Sequence, residues 1–170
     1  MSYRLPKPLT NEHQVGEFMC RSAEQAEWLR RYARQPASTG TTRVFVVTEI
    51  GHDAVVAYYA WCMAQIALET APRRMLKGAG RYPQPVALLA RLGVDAGHEG
   101  SGLGSGLLQD VIARLIELSP RIGCRGLLVH AESTEARDFY RHLIPEFEAS
   151  PTDELHLLLL MKDVQRASHR

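Results

Sequence analysis

Gly100, Gly102, Gly104 and Gly106 fall at alternate positions between an apolar run, Val86 to Val94, and a helix-spaced stripe of Leu107, Leu108, Val111, Ile112 and Leu115. A backbone without Cβ atoms takes positive φ freely and approaches a ligand closely, so several N–H groups can be turned into one concavity. The first turn of the following helix adds donors without intrahelical partners and the positive end of its dipole. The chemistry such residues serve is phosphate binding, and spacing narrows which phosphate. A Walker loop requires a Gly-Lys-Ser/Thr ending, and no lysine lies between Arg91 and Arg114. The dinucleotide fingerprint fails as well, because Ser105 and Leu107 occupy the places of its third glycine in the two possible frames.

Tyr140 carries a hydroxyl that is neutral at pH 7 and has a proton to give. On spacing alone two readings stand: a proton donor, or a ring packed with Phe139 and Leu143 on an apolar face. No side chain announces itself as a general base. Asp95 and His130 end predicted strands, and His130 is expected to be a buried histidine satisfied by the backbone. Arg73, Arg74, Lys77 and Arg81 lie in 71–81 with no acidic residue among them, and Arg30, Arg31, Arg34 and Arg43 form a second concentration. Each cluster reads either as solvated surface or as a face for a polyanion.

The elements that must position these groups follow from capping and periodicity. Ser22 with Gln25 makes a capping box, and Ala26, Leu29 and Ala33 recur at helical spacing, which predicts a helix over 23–34 that ends at Pro36 to Gly40. Arg43 to Glu49 and Ala54 to Ala67 are rich in β-formers around a hairpin-like Ile50 to Asp53. An irregular segment over 69–84 precedes the strand Val86 to Val94. The stripe after the glycines predicts a helix that ends near Ser119-Pro120. Leu127 to His130 reads as a buried strand, Ser133 as the cap of a further helix, and Glu154 to Met161 as the strand that closes the sheet. The class implied is mixed α/β, with one twisted sheet flanked by helices in a single domain over 1–170, its core at about 15–163.

The chain has 170 residues with 45% hydrophobic and 23% charged content, enough to bury a core without disulfide or metal staples. The formal net charge of +1 decides no partner. Cys20, Cys62 and Cys124 are odd in number and widely spaced, which predicts free thiols in a reducing compartment. The N-terminus lacks the apolar core of a signal peptide, and the apolar stretch Ala54 to Leu68 is shorter than the roughly 20 residues of a membrane helix. A cytoplasmic protein with no membrane association is expected.

One motif fits the glycine loop. Glu99-Gly-Ser-Gly-Leu-Gly104 resembles the Gln/Arg-x-x-Gly-x-Gly/Ala pyrophosphate loop of the GNAT acetyltransferases at every position except the first. The order of elements from Phe18 to Lys162 resembles the GNAT fold. Within that family, Arg91-Leu-Gly-Val-Asp95, Leu128-Val-His-Ala131, Glu135-Ala-Arg-Asp-Phe-Tyr140 and Ser150-Pro151 look like the GNAT-type toxins of bacterial toxin–antitoxin modules, the TacT, AtaT and KacT group. Tyr58-Tyr59 and Ala71-Pro72 fit the same pattern.

The resemblance implies an enzyme that moves the acetyl group of acetyl-CoA onto the α-amine of aminoacyl-tRNA and so stops translation. It implies no metal, a homodimer, and restraint by a ribbon-helix-helix antitoxin. By the same resemblance Tyr140 is catalytic, giving its proton to the departing thiolate. The acyl donor is bound by Leu92, Gly93 and Val94, by Glu99, Gly100, Ser101, Gly102, Leu103, Gly104 and Ser105, and by Ser133, Ala136 and Phe139. Arg73, Arg74, Lys77, Arg81 and Arg91 are the implied substrate-binding cations.

This sequence departs from the family pattern twice. Glu99 stands where Gln or Arg is usual, and a carboxylate there is repelled by pyrophosphate unless it turns away, so Glu99→Gln is expected to tighten cofactor binding. After Tyr140 the usual Gly-Phe turn is replaced by Arg-His-Leu-Ile-Pro-Glu-Phe147. Two other functions stay open on the residues alone: acetylation of a small amine or a protein amine, and acyl-CoA binding without turnover.

Overall fold

The alternating Val and aromatic residues after Arg43 form strands, as their β-branched and ring side chains require. In the computed structural model, which describes residues 2–168, β2 (Arg43–Thr48) pairs antiparallel with β3 (Val55–Ile66), Val44 opposite Ala60 and Val46 opposite Tyr58. A two-residue strand, β1 (Lys7–Pro8), adds to the outer edge of β2. Further along, β4 (Gln84–Val94) lies parallel to β5 (Gly126–His130), and β7 (His156–Leu160) runs antiparallel between β5 and the short β6 (Glu148–Ala149). The strand order is β1-β2-β3-β4-β5-β7-β6 in one seven-stranded sheet. The mixed α/β class expected from the element order is the class observed.

The chain divides into two compact units, residues 1–62 with 90–110 and residues 63–89 with 111–170. In the first, Val15, Phe18, Ala26, Leu29, Ala33, Val44, Val46, Val55, Tyr58 and Ala60 form the core. Tyr58 is fully buried, and its hydroxyl donates to the Gln25 carbonyl at 2.7 Å, which removes the cost of burying a phenol. In the second, Ile66, Ala71, Met75, Val86, Leu128, Leu158 and Leu160 pack together. Cys20, Cys62 and Cys124 are free thiols, as expected.

Three expectations about the elements need correction. The first helix does not stop at Arg34, although Gly40 does end the helical run. After α1 (Ala23–Glu27), capped by Ser22, the backbone widens into a π turn (Trp28–Tyr32), and α2 (Arg34–Thr39) then runs through the proline to Gly40, whose φ of +81° caps it. The wide turn, closed by the Ala33 N–H on the Trp28 carbonyl at 3.0 Å, restarts the hydrogen-bond ladder, so Pro36 falls in a first turn where no N–H is needed.

Residues 69–84 are not wholly irregular, since α3 (Arg73–Leu76) forms after Pro72. The closing strand is shorter than Glu154 to Met161: it spans His156–Leu160, and Met161 opens α6 (Met161–Ala167). Continuous apolar character over Leu157 to Met161 concealed this change of state, because burial on a strand and on the first turn of a helix look alike in sequence.

His13 shows how the first unit responds to pH. Its ring is buried, and Nδ1 accepts the Thr10 N–H at 2.9 Å, so the neutral form is the one built in. Burial, with Lys7 adding to it, holds its pKa below the usual histidine value. A depressed histidine favours the fold while neutral, so this contribution is present above about pH 6.5 and is lost as pH falls through the lowered folded value. Melting temperature is expected to drop between pH 7.5 and 5.5, and His13→Asn, which cannot be protonated, should flatten that drop when melts are compared across the range.

Candidate active site

In the first unit, the glycine turn is built by a clip at the end of β4. The Asp95 N–H donates to the Val56 carbonyl at 2.8 Å; its carboxylate accepts the Gly97 N–H and the Met19 N–H, both at 3.0 Å. Asp95 is therefore occupied in holding the backbone and offers no general base. One turn later the Ser101 hydroxyl donates to the His98 carbonyl at 2.5 Å, and the Tyr3 hydroxyl bonds His98 Nδ1 at 2.9 Å.

Gly100 and Gly102 then take φ of +80° and +81°, with open space where a Cβ would stand. α4 (Leu103–Leu118) starts at once, and its first intrahelical bond is from Gly106 N–H to the Gly102 carbonyl at 3.0 Å. The N–H groups of Leu103, Gly104 and Ser105 lie ahead of that bond and have no intrahelical acceptor. Left-handed glycines, open space and first-turn donors at a helix dipole are what a pyrophosphate requires.

Glu99, the irregular position, faces Arg21. Arg21 Nε and Nη2 donate to its two carboxylate oxygens at 3.1 and 3.3 Å. Of the strand residues expected to carry the donor's arm, Leu92 and Val94 are half-buried, and Gly93 is buried where a Cβ would come within 3.3 Å of both Cys20 Sγ and Tyr58 Cε1. Gly93 thus lets the Phe18–Cys20 segment close onto β4.

Arg91, expected to bind substrate, is paired within the first unit. It bonds Glu24 at 2.6 Å and Gln25 at 3.0 Å, and its guanidinium lies 4.7 Å from the Trp28 ring. A cation at the end of an apolar strand needs such partners, and α1 provides them.

In the second unit, Ser133 caps α5 (Thr134–Leu143) by accepting the Ala136 N–H at 3.1 Å. Ser133 and Ala136, both implied contacts of the acyl donor, are thus joined to each other. The helix carries half-buried Phe139 and buried Tyr140. The Tyr140 ring lies edge-on to Phe139 and to Phe147, at centroid distances of 5.2 and 6.1 Å. Phe147 is 1% exposed and supplies an aromatic wall despite the altered turn. Burial, then the Glu132 charge, raises the Tyr140 pKa far above the usual phenol value, so this hydroxyl is protonated at any physiological pH.

His130 is not the buried residue expected. It sits at the strand's exposed end, stacked on His156 with centroids 3.9 Å apart. Desolvation, with His156 beside it, lowers its pKa.

The basic segment is anchored from behind. Arg125 donates to the Met75 carbonyl at 3.1 Å and to Gln84 Oε1, and Gln84 Nε2 donates to the carbonyls of Ala79 and Tyr82 at 2.9 and 2.8 Å. Arg73, Lys77 and Arg81 are exposed, and Tyr82 beside them is 77% exposed. Arg74 differs from these: it pairs with Glu148 and, at 3.0 Å, with Asp163, a carboxylate only 1% exposed. A buried carboxylate demands a partner, so Arg74 straps α3 to β6 and α6 and is spent on the fold. Sequence reasoning missed Arg21, Tyr82 and the Gln84–Arg125 pair. Only Tyr82 left a signal, an aromatic directly after Arg81.

Residues 17–143 match the acetyltransferase (GNAT) family across the glycine loop and Tyr140. The chain belongs to the GNAT family. As a GNAT protein it is an acetyltransferase, and acetyl-CoA is the donor for which its glycine turn is suited. It is 40% identical to the tRNA-acetylating toxin of Mycobacterium tuberculosis over 163 residues, 96% of this chain and 95% of that protein.

Among solved structures, a Tyr-to-Phe mutant of KacT superposes with a TM-score of 0.89 at 18% identity, covering 98% and 99% of the two chains. AtaT in complex with acetyl-methionyl-tRNAfMet gives 0.86 at 20% identity, covering 97% and 98%. AtaT has also been solved bound to the C-terminus of its antitoxin AtaR, with a TM-score of 0.82 at 19% identity and full coverage of both chains. At these identities the structural matches establish the fold.

Among the described residues no helix is long and apolar enough to cross a membrane, and no group of three His, Cys, Asp or Glu is placed to hold a metal. Because Gly102 has φ of +81° with free space around it, Gly102→Ala carries a conformational cost of about 1 kcal/mol rather than a clash. Calorimetry with CoA should show weakened binding for this variant, together with a small fall in melting temperature.

Proposed function

We propose that this GNAT protein is a toxin that transfers the acetyl group of acetyl-CoA to the α-amine of aminoacyl-tRNA and thereby blocks translation. The observation that carries the reading is the 40% identity, over nearly the whole of both chains, to a protein named for acetylating tRNA. The anchored segment 71–82 supports it: Arg73, Lys77, Arg81 and Tyr82 all face solvent from a backbone fixed by Gln84 and Arg125. Cations attract backbone phosphate, and an exposed ring suits an unstacked base.

When bound, acetyl-CoA supplies an activated acetyl group on a thioester. In the proposed reaction an N–C bond forms from the substrate amine and the C–S bond breaks. The amine proton goes to solvent, and the thiolate takes a proton from Tyr140, which solvent then restores. A free α-amine titrates near ~8, and an ester on the adjacent carbon lowers that further, so no dedicated protein base is required. The N–H groups ahead of Gly106 and the turn at Gly100 and Gly102 hold the pyrophosphate, Leu92 to Val94 lie along the donor's arm, and Phe139 flanks Tyr140. A homodimer and a ribbon-helix-helix antitoxin complete the proposal, as does a cytoplasmic location; the antitoxin-bound form of AtaT supports the antitoxin.

Incubation with labelled acetyl-CoA and total charged tRNA, with free amino acids and polyamines as competitors, should label the aminoacyl end; label in the small amines alone would overturn the tRNA assignment. Tyr140→Phe is expected to lower turnover by about a hundredfold or more while leaving CoA affinity from calorimetry nearly unchanged. Arg73→Ala should raise KM for charged tRNA without moving the melting temperature. Arg74→Ala should lower the melting temperature, since it leaves the buried Asp163 with only the longer ion pair to Arg166 at 3.6 Å; parallel kinetics and thermal melts of the two variants separate contact from strap.

A further inference from the structure

The turn that leads from Lys77 to Tyr82 is built of residues that do not fix its shape. Gly78 and Gly80 both take positive φ, +79° and +67°, with open space where a Cβ would stand. Glycine adopts either sign of φ at little cost, so this turn can take other shapes unless a group outside it intervenes. We propose that Gln84 is that group, a positioning residue whose amide holds residues 78–82 in one conformation and so presents Lys77, Arg81 and Tyr82 together to a polyanion. The assignment rests on the tRNA reading above.

Gln84 opens β4 and is 7% exposed. Its Nε2 donates to the Ala79 carbonyl at 2.9 Å and to the Tyr82 carbonyl at 2.8 Å, so one NH2 group spans the apex of the turn. Its Oε1 accepts from Arg125, and because a guanidinium only donates, that contact decides which end of the amide faces the turn. Arg125 is itself fixed through its backbone. Its N–H donates to the Pro85 carbonyl at 2.8 Å, and its carbonyl accepts the Met161 N–H at 3.1 Å. Its Nη2 reaches the Met75 and Lys77 carbonyls at 3.1 and 3.4 Å, so Arg125 grips the stem of the segment and Gln84 the apex.

Among the described residues, the one other hydrogen bond made by residues 78–82 runs from the Ala79 N–H to the Leu76 carbonyl at 3.1 Å. That bond closes the end of α3 and leaves Gly80, Arg81 and Tyr82 untouched. The shape of the apex therefore depends on Gln84. Cations and a ring carried on a mobile turn must be ordered when a ligand arrives, which subtracts from affinity; on a fixed turn that cost is already met. The difference falls on binding of the polyanion and not on the chemistry at Tyr140.

Packing alone is the rival explanation, in which Gln84 merely fills its buried place. Two variants of similar size separate the readings. Gln84→Glu keeps the contact with Arg125 but replaces the two donors with an oxygen that the Ala79 and Tyr82 carbonyls repel, and Gln84→Met removes every polar contact without adding charge. Both are compared with the wild type by steady-state acetylation of charged tRNA at several salt concentrations, calorimetry with CoA, thermal melts and amide hydrogen exchange. Each is expected to raise KM for charged tRNA about tenfold, with kcat and the Kd for CoA unchanged, and to speed exchange at residues 78–82. The slope of log KM against log salt concentration should keep its wild-type value, because the same cations still meet phosphate; Arg81→Ala should instead reduce it by about 0.7 to 0.9.

A KM that neither variant moves would overturn the proposal in favour of packing, whatever happens to the melting temperature. A rise confined to one variant would overturn it as well, in favour of added charge if the variant is Gln84→Glu and of altered packing if it is Gln84→Met. A wild type that leaves charged tRNA unlabelled would overturn the tRNA reading itself and this assignment with it.

Discussion

The turn between β4 and α4 places Gly100 and Gly102 in the left-handed region and opens α4 with N–H groups that have no intrahelical acceptor, so it depends on contacts from elsewhere in the first unit. Such a turn is unstable left to itself, because exposed donors seek any acceptor and left-handed residues gain nothing from local contacts. Asp95 resolves the difficulty by taking up the Gly97 and Met19 N–H groups. It thereby ties the turn to the segment ahead of α1. Tyr58 does the corresponding work below, packing edge-on to Phe18 at 5.5 Å and bonding the Gln25 carbonyl. The residues that form the cradle are small, and the residues that make it hold are large, buried and distant in sequence.

Charge is arranged on the same principle of spending some groups so that others stay available. Arg91 is engaged by Glu24, Gln25 and Trp28, and Arg74 by Glu148 and Asp163, the first tying β4 to α1 and the second tying α3 to β6 and α6. The near-neutral total that the composition shows is therefore uninformative about function, since what matters is which cations the fold absorbs. In the second unit Tyr140 follows an opposite logic: it is buried among aromatic rings, which, with the Glu132 charge, raises its pKa and keeps the hydroxyl protonated.

The glycine loop, the α5 cap at Ser133 and the β2–β3 hairpin were legible because each is a local matter of residue type and spacing. The π turn was not, since a single extra residue in a helical ladder leaves the apolar pattern of Ala26, Leu29 and Ala33 intact. Glu99 read as a defect because its partner lies outside any spacing rule, and only tertiary structure brings Arg21 to it. His130 read as buried because strand residues Leu127 to Val129 are; it still pairs in the sheet, opposite His156, but it is the last residue of β5 and is exposed. The basic run 71–81 was visible as composition, but the distinction between Arg74 and its neighbours depends on a carboxylate in the last helix, about ninety positions away.

That distinction bears on how polyanion binding should scale with salt. Each phosphate neutralised by a protein cation contributes roughly 0.7 to 0.9 to the slope of log affinity against log salt concentration. With Arg74 already neutralised inside the protein, its encounter with a phosphate would release no counterion unless the strap to Asp163 first broke. For a polyanion meeting this segment the electrostatic valence would be that of Arg73, Lys77 and Arg81, and a count of four cations taken from the sequence would overstate the ionic component by one third.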